Sequence, residues 1–148
     1  MFSIDSNDLT MILQVALAAV LGLIIGAERE SSHKPAGFRT YSLIAMGSAL
    51  FTILSFQLSG PYIDPTRIAA QILTGIGFIG AGLIFTRGDQ VFGLTSAATI
   101  WVTAAIGMAV GFKMYVVAVS VTLLTLVILY SVRLVEQKLF DKNAEYHQ

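Results

Sequence analysis

The chain has 148 residues and no formal net charge, with nine Lys and Arg against nine Asp and Glu; 55% of it is hydrophobic and only 12% charged. A mean hydropathy of +0.77 is too high for a water-soluble domain of this size, and the charge balance offers neither the basic surface of a nucleic-acid-binding protein nor a polybasic lipid-capture segment. The absence of cysteine removes disulfides, thiolate catalysis and Cys-based metal sites together, and leaves the redox compartment open.

A helix needs about 20 mainly apolar residues to cross a bilayer, because unpaired backbone groups are not tolerated in lipid. Five segments meet that demand: 9–27, 40–58, 68–85, 94–112 and 114–132. The expected fold is therefore an all-α integral membrane bundle of about five transmembrane helices over 1–132, followed by a short tail, 133–148. Asp5 and Asp8 precede the first segment where a signal peptide would carry Lys or Arg, so it reads as a retained helix.

Lys and Arg in short loops tend to stay in the cytoplasm. Arg29, Lys34, Arg39, Arg87, Arg133, Lys138 and Lys142 fall on one side of the five-helix arrangement, and only Arg67 and Lys113 on the other. The expected orientation has the N-terminus outside and the tail inside.

In chain order, the first segment carries Ala18, Gly22 and Gly26 at helical spacing, and the fourth carries Thr103, Gly107 and Gly111. Such stripes let backbones approach closely where lipid supplies no hydrophobic drive, and packing within the chain is the commoner use than a dimer face. The third segment holds Gly75, Gly77, Gly80 and Gly82, which share no single face, so a central position is expected for it. Its Gly75-Ile-Gly77-Phe-Ile-Gly80 run matches GxGxxG, but without a preceding strand or a βαβ unit the match carries no dinucleotide site. A helix locally broken to expose backbone to a solute is the other functional reading of these glycines. Pro61 and Pro65 mark the loop before it, with Asp64 and Arg67 expected to cap its start.

The chemically distinctive residues flank the two loops expected in the cytoplasm: Glu28, Arg29, Glu30, Gly37, Arg39 and Thr40 in one, Arg87, Asp89, Thr95 and Ser96 in the other. A charge at interfacial depth favours pairing inside the bundle. Because adjacent helical residues do not face one another, Glu28 is expected to meet Arg39 or Arg87 rather than Arg29. Thr40 and either Thr95 or Ser96 stand where N-caps would, and two helix ends beside three arginines suit an anion, such as a phosphate or a partner's carboxylate. The competing reading is that the arginines only neutralise Glu28, Glu30 and Asp89 and anchor the helices.

No ionisable residue lies near the middle of any segment, only Gln14, Gln57 and Gln71 towards the outer side. That argues against a proton relay or a charged cation path, while leaving backbone-lined filters open. His33 and His147, the two histidines, form no ligand pattern and no GxxxxGK[ST] loop is present, so no metal and no cofactor is expected. No nucleophile–base pair can be assembled, and the expected protein is not an enzyme. Beyond residue 132, Val135 and Leu139 fall on one stripe among charges, as in a surface-lying or partner-docking helix.

Three blocks together resemble the MgtC/SapB family of bacterial membrane proteins: Glu28-Arg29-Glu30 with Ala36-Gly37-Phe38-Arg39-Thr40; Gly77-Phe78-Ile79-Gly80-Ala81-Gly82; and Gly93-Leu94-Thr95-Ser96 through Trp101. The resemblance implies a multi-pass protein of the bacterial cytoplasmic (inner) membrane with about five helices. It further implies a link to growth under magnesium limitation and to virulence, through restraint of a membrane partner such as the ATP synthase. Longer members carry a soluble C-terminal domain, and the short chain looks like the SapB-like form. The leading expectation is a non-enzymatic regulator, monomeric or homodimeric, whose cytoplasmic cluster engages a membrane protein or a small anion. The alternative is a small transporter or channel lined by the third segment's glycines, with Gly22, Gly26, Gly107 and Trp101 also packing the bundle or lining the path.

Overall fold

The computed structural model describes residues 5–58, 64 and 66–144, with side chains as far as Ser131. Five helices follow one another: α1 (Ser6–Ser31), α2 (Phe38–Gln57), α3 (Arg67–Ala81), α4 (Leu94–Gly111) and α5 (Tyr115–Ala144). A small antiparallel hairpin, β1 (Phe85–Arg87) and β2 (Gln90–Phe92), joins α3 to α4. α1, α2 and α4 are of a length and composition that can cross a membrane, while α3 and the Tyr115–Ser131 part of α5 are shorter apolar helices.

Local chemistry explains where the helices start and stop. Asp5 and Asp8 form a reciprocal cap on α1: the Ser6 N–H donates to Asp5 Oδ1 at 2.6 Å and the Asp5 N–H to Asp8 Oδ2 at 3.1 Å. α1 then runs past residue 27 to Ser31, because Glu and Arg are good helix formers and nothing breaks the chain before Pro35. At α3, Asp64 Oδ1 accepts from the Thr66 N–H at 2.9 Å and from its hydroxyl at 2.8 Å. Those two bonds hold the Asp64 carboxyl below its ordinary value. Pro61 and Pro65 lie outside the described residues.

The core is made by α1, α2 and α4, whose backbones nearly touch. A Cβ on Gly22 would fall on the Tyr41 carbonyl, one on Gly26 on the Phe38 backbone, and one on Gly107 on the Ala45 carbonyl. Ala18, Ile25, Ala45, Ala49, Ala104 and Val110 fill the rest, all completely buried. The buried threonines Thr52, Thr103 and Thr122 each return their hydroxyl to the carbonyl one turn earlier, at 2.8 Å in every case. Their polarity is thereby met inside the helix and asks for no neighbour.

Two expectations need correction. α3 is not central: it lies against α2 and α4 through a narrow face, Ala69, Ile76 and Gly80 being its only buried residues. Gly75 and Gly77 face open space, and Phe78 is 86% exposed. α3 also ends four residues earlier than the apolar run, because residues 85–92 pair as a hairpin, Phe85 opposite Phe92 with their rings stacked at 5.5 Å. Gly88 (φ +61) makes the turn and Gly93 (φ +86) lets the chain pass under the Leu83 carbonyl. The backbone of α5 continues unbroken to Ala144, so the segment after 132 extends the same helix; the Val135 and Leu139 side chains lie outside the described residues.

Candidate functional site

The end of the bundle where α1 stops and α2 and α4 begin gathers most of the residues singled out above. Its centre is an ion pair between sequence neighbours. Arg29 Nη2 donates to Glu28 Oε1 at 2.9 Å while Nε donates to Oε2, and the Ser32 hydroxyl adds a bond to Oε1 at 2.7 Å. The two side chains are 4% and 15% exposed. This overturns the expectation that Glu28 would turn to Arg39 or Arg87. Two residues 100° apart on a helix point different ways, but side chains as long as Glu and Arg can fold back along the surface and meet. The buried fork is bidentate, the arrangement an arginine makes best.

Tyr41, which sequence reasoning passed over, is also buried here. It is completely buried, and its hydroxyl donates to the Ser96 carbonyl at 3.2 Å, tying the first turn of α2 to that of α4. The detectable signal was its place in the series Tyr41, Ala45, Ser48, Thr52, which forms one face of α2.

The N-caps are glycines, not hydroxyl residues. Gly37 precedes α2 and Gly93 precedes α4, neither helix having a side-chain cap. Thr40 is already inside α2, and Thr95 and Ser96 inside α4, where the Thr95 carbonyl accepts from the Thr99 hydroxyl at 2.6 Å. Gly37 lies directly against the Glu30 carboxylate, with no space for a Cβ between them. Arg39, Arg87 and Asp89 are exposed, and among the described residues none of them, nor Glu30, makes an ion pair. Arg87 and Asp89 stand on the hairpin around its turn. Gly80 packs on Ala97, Gly82 on its own helix's backbone, and Trp101 is half exposed on the outside of α4 rather than inside any path.

The loop between α1 and α2 holds its shape against a local penalty. Ala36 has φ +65, a left-handed conformation that a Cβ disfavours by about 1–2 kcal/mol. Ala36→Gly is expected to raise stability by about 1 kcal/mol, measurable as a higher unfolding midpoint in one detergent. Among the described residues no group of three or more His, Asp or Glu could hold a metal ion.

These features define a helical membrane protein with a buried ion pair and a cluster of free charges at one end. The family model described as the MgtC family matches residues 15–138, and the chain belongs to that family. It is 46% identical over 143 residues to YhiD of Escherichia coli K12, a protein whose name assigns it provisionally to magnesium transport; the match covers 92% of this chain and 66% of YhiD. It is 50% identical over 97 residues to protein MgtC of Brucella abortus strain 2308, covering 66% of this chain and 40% of that one. With protein MgtC of Salmonella typhimurium 14028s it shares 46% over 115 residues, 78% of this chain and 49% of the relative. The chain thus spans between two-fifths and two-thirds of the length of these relatives. No solved structure matches the fold. Membrane residence follows from the family and from three helices long and apolar enough to cross a bilayer.

Proposed function

We propose that this protein is a multi-pass, non-enzymatic regulator in the bacterial cytoplasmic membrane, N-terminus outside, which engages an integral membrane partner through Arg39 and Arg87. The observation that carries this reading is the contrast within one end of the bundle. Glu28 and Arg29 pair with each other, Arg29 buried and Glu28 partly so, whereas Arg39 and Arg87 are exposed and unpaired among the described residues. Exposed arginines that hold no internal carboxylate remain available to one on another protein, where a bidentate pair gives specificity. The positive-inside tendency favours placing this end in the cytoplasm. Close packing at Gly22, Gly26 and Gly107, each closed against the backbone of α2, is the use of these glycines that fits this reading.

Co-purification from native membranes tests the proposal. Wild type is expected to retain a specific membrane protein that Arg39→Ala loses by roughly tenfold, in line with about 1.5 kcal/mol for a charged hydrogen bond. A folded wild type that retains none would sink the reading. A second reading, a transporter or channel, draws on one observation: a groove of about 600 Å³ between α2 and α3, lined by Gly47 and Gly75. It opens to the outside of the chain, so a path there would need a second copy to close it. Specific ion flux in liposomes holding only this protein would favour that reading.

A further inference from the structure

The opposite end of the bundle carries a different kind of site. Between the start of α1 and the ends of α2 and α4 lies a cavity of about 330 Å³ whose polar wall is Asn7, Gln14, Gln57 and Lys113. Gln14 is 3% exposed, more than a turn inside α1. Its Nε2 donates to the Val110 carbonyl at 3.0 Å, and its Oε1 has no hydrogen-bond partner among the described residues, which leaves that acceptor for the cavity it lines. An amide oxygen open to the cavity can accept from a donor on a ligand seated there.

Among the described residues Lys113 is the only charged one on the wall. It occupies the turn after α4 with φ +63, its N–H donating to the Val110 carbonyl at 2.9 Å and that of Met114 to the Ala109 carbonyl at 2.8 Å. Glycine is the residue this cap prefers, so a lysine is held here against its backbone preference. Asp5 and Asp8 are engaged in capping α1; neither lines this cavity, and Asp8 stands on the wall of the groove that adjoins it.

Met11 and Ile53 form part of the wall of this cavity and also of a second, mainly apolar groove of about 510 Å³ running between α1 and α2 from Asp8 past Ile12, Val15, Leu50 and Leu54. Ile12, Leu50 and Leu54 are exposed on the surface of helices that can cross a membrane. A polar cavity with one cation and an apolar groove therefore meet at two shared side chains, as a headgroup and an acyl chain do.

We infer that this site binds a phospholipid whose headgroup carries a hydrogen-bond donor besides its phosphate, as in phosphatidylglycerol or phosphatidylethanolamine. The Lys113 ammonium and the Asn7 amide meet the phosphodiester, the headgroup hydroxyl or ammonium donates to Gln14 Oε1, and one acyl chain follows the α1–α2 groove. Phosphatidylcholine has the phosphate and the chains but no such donor, so it makes the first contact and not the second.

Native mass spectrometry and thermal shift on the delipidated full chain test this with phosphatidylglycerol, phosphatidylcholine and inorganic phosphate as probes. Phosphatidylglycerol is expected to bind about tenfold more tightly than phosphatidylcholine. Gln14→Leu should remove that preference while leaving phosphatidylcholine binding intact. Lys113→Gly should weaken both lipids by about tenfold with an unfolding temperature, without lipid, at or above that of wild type, because glycine suits the turn. Equal binding of the two lipids by wild type, or unchanged binding by Lys113→Gly, would overturn the proposal. Saturable, Lys113-dependent binding of inorganic phosphate that displaces the lipid would overturn the lipid assignment in favour of a free anion.

Discussion

Arg29→Leu is expected to destabilise the folded protein by about 3–5 kcal/mol, enough to abolish recovery of folded material. The effect arises from what remains. Glu28 loses both guanidinium bonds and keeps, of the contacts shown, the Ser32 hydroxyl at 2.7 Å, in a place where its side chain is 15% exposed. A largely buried carboxylate that loses its guanidinium keeps its desolvation penalty and forfeits that pair's Coulombic return. The double variant Glu28→Gln with Arg29→Leu removes both charges and should recover most of the loss. The measurement is the unfolding midpoint of each single and double variant, closed as a double-mutant cycle. Additive losses would mean the pair is not coupled and that the fork contributes nothing to the fold.

The glycines are expected to divide into two classes, with opposite signs. Gly22→Ala and Gly107→Ala place a methyl against the Tyr41 and Ala45 carbonyls. Helix backbone cannot move aside as the tip of a side chain can, so each change should cost about 1–3 kcal/mol or more by forcing α1 or α4 away from α2. Gly77→Ala meets nothing within 4 Å, and there the gain in helix propensity, about 0.5–1 kcal/mol, should prevail. Thermal denaturation of the three variants in one detergent decides it. A loss at Gly77 equal to that at Gly22 would show that α3 packs against something in the native membrane that the single chain does not contain.

The number and order of helices were legible because long apolar runs have few alternatives in lipid. That α1 would admit a neighbouring backbone closely was legible too, since Gly22 and Gly26 repeat at one helical turn. What could not be read was which helix those stripes would meet. Spacing reports the face of one helix and says nothing of its neighbour, and for this reason the scattered glycines of α3 suggested a centre when they in fact lie on an open side. The hairpin was missed because Leu83, Ile84 and Phe85 are apolar enough to continue a helix, and the pairing with 90–92 depends on the two left-handed glycines that bracket it. At the candidate site the residue list could be read but the partners could not. The rule that neighbours on a helix do not face each other applies to Cβ directions, and Glu28 and Arg29 escape it through the length of their side chains. Gln14 and Lys113 carried no pattern at all, because their relation exists only once α1 and the end of α4 stand side by side.

The shortness of α3 has a consequence for the lipid around it. Fifteen residues at 1.5 Å each reach roughly 22 Å, against roughly 30 Å of hydrocarbon. A crossing made by α3 therefore leaves a deficit that the stacked Phe85 and Phe92 rings can only partly fill, and the bilayer on that flank must thin to meet it. Thinning is resisted by fractions of a kcal/mol per Å, so the energy of the folded protein becomes a function of acyl-chain length. Such a molecule would settle where the membrane is thinnest, and two of them would attract each other merely by sharing one dimple.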